Sequence, residues 1–338
     1  MASKGLVFSG MRPSGRLHIG NWIGALQNWV ELQKDYDCIY SAVDVHTLTT
    51  ITDGRETKEI RKNISEMVLD WLGAGLDPNK SIIFTQSHVP EVMSLHTILS
   101  MVTPLGWLLR VPTFKDRIRQ MNETEETVSY GLVGYPVLMA SDIILYKADT
   151  VPVGEDQVPH LELTREIVRR FNNMFGETFP EPKAKLTAIP LVLGLDGHQK
   201  MSKTLDNHVE LATTEQETLD RIAPAYTDPQ RLRRNDPGRP EMCNVYSLHK
   251  FFNEVDLPEI FDECTTAKRG CVDCKAHLGR GINRSLEPFR ERRSEFEGKP
   301  NLVREILVEG ANRASQIAGS TMDEVRERLG ISGPQSFR

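Results

Sequence analysis

The stretch Leu6-Val7-Phe8-Ser9-Gly10-Met11-Arg12-Pro13-Ser14-Gly15-Arg16-Leu17-His18-Ile19-Gly20-Asn21 decides the fold. Its first four residues read as a strand and its glycines and proline as a tight turn. Leu17 to Asn21 then open a helix that carries Ile23, Leu26 and Val30. Strand, glycine-rich turn and helix, in that order, begin a parallel α/β unit. Glycines allow close backbone approach, and the free N–H groups of a first helical turn make a place for phosphate, to which the His18 imidazole adds a donor. Taken alone, the stretch also suits a turn whose glycines serve packing only.

Outward from this unit the same alternation continues. Cys38 to Val43 and Ser81 to Thr85 read as further strands, separated by an amphipathic helix through Ile60, Ile64, Met67, Val68, Trp71 and Leu72 that Gly73, Gly75 and Pro78 are expected to end. Thr150 to Val153 is a strand that meets Gly154 and then a helix through Glu162, Arg165, Ile167 and Phe171. The apolar run Ala188 to Leu195 is expected to be the last strand, before a Gly194, Gly197 turn and the loop Gln199-Lys200-Met201-Ser202-Lys203-Thr204. Two lysines beside hydroxyls on such a loop suit a clamp that closes on polyphosphate as charge moves to a leaving group. Past residue 207 the strand signals stop, and helical patterns with Pro-rich connectors take over.

The 338 residues, 39% hydrophobic and 26% charged, can bury a core, and the length suggests two domains. Lys and Arg number 41 against 47 Asp and Glu, a net charge of −6, so no overall positive field draws the chain to nucleic acid or an anionic membrane. Any such binding is local. No apolar run approaches the roughly 18 residues of a membrane span, and the N-terminus has no signal-like stretch. A cytoplasmic protein without a membrane partner is expected.

Of five cysteines, Cys38 stands alone in a strand and reads as a small buried hydrophobe, while Cys243, Cys264, Cys271 and Cys274 form C-x20-C-x6-C-x2-C. Four thiolates can hold tetrahedral Zn²⁺ or an iron–sulfur cluster, and composition does not separate the two. From Cys264 to Arg293, eight basic residues face three acidic ones, a local +5 on an acidic chain. Such a patch suits selective RNA docking, with Arg280 and Arg284 as candidate contacts; the alternative is a solvated helix face with i,i+4 pairing.

His18-Ile19-Gly20-Asn21 after the first strand and Lys200-Met201-Ser202-Lys203-Thr204 after the last resemble the paired nucleotide signatures of class I aminoacyl-tRNA synthetases. Over nearly the whole chain the resemblance is closest to the bacterial tryptophanyl-tRNA synthetase family. It is carried also by Val43-Asp44-Val45-His46, by Tyr135 to Tyr146 and by Val151-Pro152-Val153-Gly154-Glu155-Asp156-Gln157. The resemblance implies a Rossmann-type doubly wound parallel sheet over 1–206 with a C-terminal all-helical domain over 207–338 that reads the anticodon. Residues near 100–150 would help form a homodimer.

What it implies for the site follows residue by residue. Arg12, Pro13, Ser14, Gly20, Asn21, Gly154, Glu155, Asp156 and Leu191 match family positions around ATP, together with Met201, Ser202 and Thr204 of the loop. His18, Lys115, Lys200 and Lys203 would act on the phosphates with Mg²⁺ while the tryptophan carboxylate attacks the α-phosphorus. Asp142 matches the carboxylate that accepts the indole N–H; read locally, Ser141-Asp142 would instead suit a helix N-cap. Phe8, Gly10, Val43, Met139 and Val153 would wall the amino-acid pocket, with His46 and Gln157 near the ligand. A subset of the family has a similar C-terminal four-cysteine pattern that binds a [4Fe–4S] cluster. The implied partners are L-tryptophan, ATP and tRNA(Trp). Two other readings are tyrosine specificity and a synthetase-derived RNA-binding or redox-sensing protein; intact Lys200, Lys203, Asp142 and His18 argue against the second.

Overall fold

The computed structural model describes residues 4–51, 53–121, 124, 126–186 and 192–331. Five parallel strands form one sheet: β1 (Leu6–Met11), β2 (Asp37–Ala42), β3 (Ser81–Thr85), β4 (Thr150–Val153) and β5 (Lys183–Leu186), in the order β3-β2-β1-β4-β5. The chain winds outward from β1 in both directions, the Rossmann-type arrangement, and β1 lies where the winding reverses. Helix α1 follows β1 as one continuous run of Ile19–Asn21, a π-helical turn Trp22–Leu26, and Gln27–Asp35. Next come α2 (Ile60–Ala74), α3 (Glu91–Val102), α4 (Tyr130–Ile144) and α5 (Val158–Phe175). After residue 207 there is no strand among the described residues. The chain there forms α6 (Glu215–Ile222), α7 (Asn244–Phe252), α8 (Leu257–Thr265), α9 (Cys271–Glu297) and α10 (Pro300–Leu329).

Strand side chains alternate between two cores, as period-2 geometry demands. Val7, Tyr40 and Ile83 join α1, α2, α7 and α9 on one face; Phe8, Ile39, Ile82 and Phe84 join α3, α4, α5 and α10 on the other. Both faces of the sheet are covered, which is why the central strands read as unbroken apolar runs. Cys38 is buried in the first core, as its strand position implied. The C-terminal helices complete both layers. Gly310 of α10 sits so close to β3 that a Cβ there would lie 1.9 Å from the Ile83 carbonyl oxygen.

Three local expectations change. The fifth strand is Lys183–Leu186, mostly exposed, whereas of the run Ala188 to Leu195 residues 188–191 lie outside the described residues and Leu193 only bridges to Lys200. Gly73 does not end α2; it lies inside the helix, where its missing side chain admits α9, and Gly75, with φ of 108°, makes the C-cap. The N-cap of α4 is Ser129, whose hydroxyl accepts the Leu132 N–H, so Asp142 is no cap.

Candidate active site

Strands β1 and β4 pair only at Val7 and Thr150 and then part. The cleft that opens between their C-terminal ends is a cavity of about 750 Å³, at the switch point where ligands of doubly wound sheets bind. Phe8, Gly10 and Arg12 line one wall, and Val151, Pro152, Val153 and Gly154 the other. Helix α4, apolar and buried on most of its sides, adds Leu132, Tyr135, Met139, Asp142 and Ile143, spaced i, i+3, i+7 along one face. Val43, His46, Asp156, Gln157 and Lys200 also line it.

Asp142 is buried, and both its oxygens are engaged. Gln86 Nε2 donates to Oδ1 and Oδ2 at 2.8 Å each, and His46 Nε2 lies 2.9 Å from Oδ2. Gln86 can turn only one way, because its Oε1 accepts the Val45 N–H at 3.1 Å and the amide nitrogen must then face Asp142. Gln86 was not foreseen: it is a single glutamine in a short turn after β3, and only its place just past the C-terminal end of that strand marks it. Also unforeseen is His160, whose Nε2 lies 2.8 Å from the Tyr135 hydroxyl; burial pulls its pKa below the ordinary histidine value.

The two signature segments, over 180 residues apart in the chain, meet beside this cavity. His18 caps α1 reciprocally with Asn21: the Asn21 N–H donates to His18 Nδ1 at 3.3 Å, and Asn21 Oδ1 accepts the His18 N–H at 3.1 Å. With Nδ1 accepting, the neutral ring carries its proton on Nε2, free to be offered to a phosphate oxygen. Burial first, then the nearby His208, Lys203 and Lys200, drive the His18 pKa down to about 3, so the ring is neutral at physiological pH. Gly20 lies between the two segments; a Cβ there would be 3.0 Å from His18 Nδ1 and 3.3 Å from Met201 Cβ. Lys203 Nζ donates to the Ser14 carbonyl at 2.7 Å, so the lysine loop is closed on the first turn. Burial lowers the Lys203 pKa below the usual lysine value, against the pull of Glu210 and Asp70.

Asn207 organises that loop. Its Oδ1 accepts the Ser202 N–H and its Nδ2 donates to Asp196 Oδ2, both at 2.7 Å. Gly194 leaves room for that amide, which a Cβ would meet at 2.1 Å. Ser14 and Gly20 thus meet the lysine loop, Asn21 caps the His18 turn, Pro13 precedes Ser14 in that turn, and on the loop Met201 is buried while Ser202 and Thr204 are not. Lys115 and Glu155 are exposed and outside the cavity lining, where the structure puts Asp116 and Asp156 instead. Leu191 lies outside the described residues.

The four cysteines gather where α7, α8 and α9 start or end, and all are free thiols. Burial raises the Cys243, Cys264 and Cys274 thiols, Cys274 to about 12, and each is pushed further by neighbouring cysteines of the set. Arg231 Nη1 donates to Cys264 Sγ at 3.7 Å, and His249 Nε2 is 3.4 Å from Cys274 Sγ. Among the described residues no group of three or more His, Cys, Asp or Glu is close enough to hold a metal ion. The basic stretch is not a uniform surface patch. Arg293 is buried, Arg269 pairs with Glu263 at 2.7 Å, and Arg290 donates to Thr218 Oγ1 at 2.9 Å. Arg280 and Arg284 are exposed one turn apart on α9, Arg284 touching Asn253 Oδ1 at 3.0 Å. No helix among the described residues is long and apolar enough to cross a membrane.

The family described as "tRNA synthetases class I (W and Y)" matches residues 3–287. The tryptophan–tRNA ligase of Thermotoga maritima is 43% identical over 96% of this chain and 99% of its own, and that of Aquifex aeolicus is 38% identical over 96% and 99%. The crystal structure of the Campylobacter jejuni tryptophanyl-tRNA synthetase, complexed with ADP and tryptophan, superimposes with a TM-score of 0.85 at 34% identity, over 96% of this chain and 99% of that one. A tyrosyl-tRNA synthetase from Archaeoglobus fulgidus, at 20% identity and a TM-score of 0.65, shares the fold alone. With its two signature segments closed on one another at the switch point of the sheet, the chain belongs to the class I aminoacyl-tRNA synthetases, as a tryptophan–tRNA ligase.

Proposed function

We propose that the cleft between β1 and β4 is where tryptophan is activated, with each group in the role its surroundings suit. The supporting observation is the pairing of a buried carboxylate, Asp142, with the closed contact of Lys203 on the Ser14 turn at one end of the same cleft. Asp142, steered by Gln86 and His46, accepts the indole N–H, and Phe8, Val43, Met139 and Val153 enclose the ring. Arg12, Gly154 and Asp156 serve the nucleotide, and Gln157 stands near the amino acid. The tryptophan carboxylate displaces pyrophosphate from the α-phosphorus of ATP, and a terminal hydroxyl of tRNA(Trp) then takes the acyl group and releases AMP. Lys200, Lys203 and the Nε2–H of His18 hold the charge that moves to pyrophosphate, so positioning and electrostatics carry the step. Mg²⁺, when bound with ATP, shares that charge. Lys115, exposed and next to the cavity-lining Asp116 on the helix Pro112–Met121, is the further lysine for the phosphates.

In this reading residues 1–206 are the catalytic domain and 207–338 the anticodon-binding region, with Arg280 and Arg284 on its RNA face. The C-x20-C-x6-C-x2-C spacing of four soft thiolates supports a [4Fe–4S] cluster at Cys243, Cys264, Cys271 and Cys274, which would have to draw the thiols closer than they stand here and would tie three helices together. Exposed Met101 (77%), Leu105 (60%) and Tyr130 (68%) support a homodimer through the 100–150 region. ATP–pyrophosphate exchange with tryptophan and tyrosine, followed by charging of tRNA(Trp), tests the catalytic reading; equal exchange with both amino acids refutes the role of Asp142. Charge reversal at Arg280 and Arg284 is expected to weaken charging and spare exchange. Protein purified without oxygen is expected to carry iron and visible absorbance; colourless protein with zinc instead removes the cluster.

A further inference from the structure

A charged cluster that the cleft does not use lies directly behind His18. Asp70, on α2, is fully buried, accepting the Leu17 N–H on Oδ2 at 2.5 Å and Arg293 Nε on Oδ1 at 2.6 Å. Arg293 belongs to α9 and is itself buried. Its Nη2 reaches Glu66 Oε2 at 2.6 Å, and the same oxygen takes Arg16 Nε at 2.8 Å. The Leu17 carbonyl in turn accepts the Leu211 N–H at 2.8 Å. The backbone immediately before His18 is therefore held on both its donor and its acceptor side.

A buried ion pair is a weak source of stability, since desolvating two charges offsets most of their attraction and an apolar pair often does as well. What Asp70 does that no apolar residue can is fix a backbone N–H one residue before His18. The close fit is built into the helices: a Cβ on Gly73 would stand 2.9 Å from Arg293 Cβ, and Arg292 Nε donates to the Gly73 carbonyl at 2.8 Å.

We propose that Asp70 is a positioning residue for tryptophan activation: locked by Arg293, it sets the His18 turn against the ATP phosphates and makes α9 part of the frame of the nucleotide site. The proposal rests on the reading of the His18 turn as the ATP-phosphate site. Its test is pyrophosphate exchange with separate KM values for ATP and tryptophan in Asp70→Asn, Glu66→Gln and His18→Ala. In Asp70→Asn an amide hydrogen must face one of the two donors, and the ATP KM is expected to rise about 10-fold or more while the tryptophan KM stays within about 2-fold. Glu66→Gln, at a partly exposed position that the fold can lose, is expected to move the ATP KM the same way by a smaller factor, and decides the matter if Asp70→Asn fails to fold. A parallel rise in both KM values, or a lower melting temperature with both unchanged, makes the cluster a stability feature and overturns the proposal. If His18→Ala leaves the ATP KM unchanged, the reading of the turn falls; if His18→Ala raises it and the other two variants do not, the inference alone falls.

Discussion

Asp142→Asn is the substitution that most directly reads the amino-acid pocket. The carboxylate is about as buried as a core side chain and already holds Gln86 and His46, each within 2.9 Å. It is therefore oriented and desolvated before any ligand arrives. An indole N–H bonded to such an anion contributes about 1.5–3 kcal/mol, against about 0.5–1.5 for a neutral acceptor. The amide should thus cost about 1–1.5 kcal/mol, near 10-fold in kcat/KM for tryptophan. Asp142→Ala forfeits the whole bond and leaves Gln86 and His46 without their acceptor, an effect of about 10- to 150-fold or more. Phenylalanine has no N–H, so its weak exchange should hardly change, and the preference for tryptophan should fall by the same factor as tryptophan itself. The assay is ATP–pyrophosphate exchange with each amino acid at saturating ATP, with the ATP KM measured in parallel. Equal losses for tryptophan and phenylalanine would mean a collapsed pocket, and an unchanged preference would mean that another group binds the indole nitrogen; either refutes the reasoning.

Other consequences follow from the same geometry. Lys203→Ala is expected to lower the exchange rate by about 10²-fold or more with little change in the tryptophan KM, because the charge it meets develops on pyrophosphate; an unchanged rate removes it from the chemistry. Gly310→Ala drives a Cβ into the Ile83 carbonyl at 1.9 Å and should lower the melting temperature, at a cost of about 1–3 kcal/mol. Gly319→Ala, on the same helix with nothing within 4 Å, should be neutral or stabilising. His18 has a folded-state pKa of about 3, below the 6.5 of an unfolded histidine, so its contribution to stability is present above pH 6.5 and is lost as pH falls toward 3. Between pH 7 and 5 that loss is about 2 kcal/mol. Chemical denaturation of the protein and of His18→Asn at the two pH values should differ in pH dependence by that amount.

The strands β1 to β4 and the helices that follow β1 and β2 were legible because burial on both faces leaves a pattern that a short window of sequence can hold, whereas α3 and α4 were not read. β5 was not: an edge strand reading Lys-Ala-Lys-Leu carries no apolar run, and the eye moves to the more hydrophobic segment after it. Asp142 shows the limit of local reading. In isolation Ser141-Asp142 looks like a cap, and only the resemblance pointed to a ligand contact; the structure places it in the last turn of α4, where a cap cannot be. Gln86 left no pattern at all, since its role depends on the Val45 N–H and the Asp142 carboxylate arriving from two other elements.

The sequence by itself determined the α/β class, the order of most elements, the family and the two nucleotide signatures, because these live in periodicity and in contiguous motifs. Only the tertiary structure decided which charges do what. Arg293 counts as one more positive charge in a basic stretch until α9 packs on α2; there it leaves the surface and becomes the partner of Asp70 behind His18. Lys203 and Ser14 likewise become neighbours only when the sheet brings its two halves together. Pairing of that kind depends on distance in space, and a chain written in one dimension records only distance along itself.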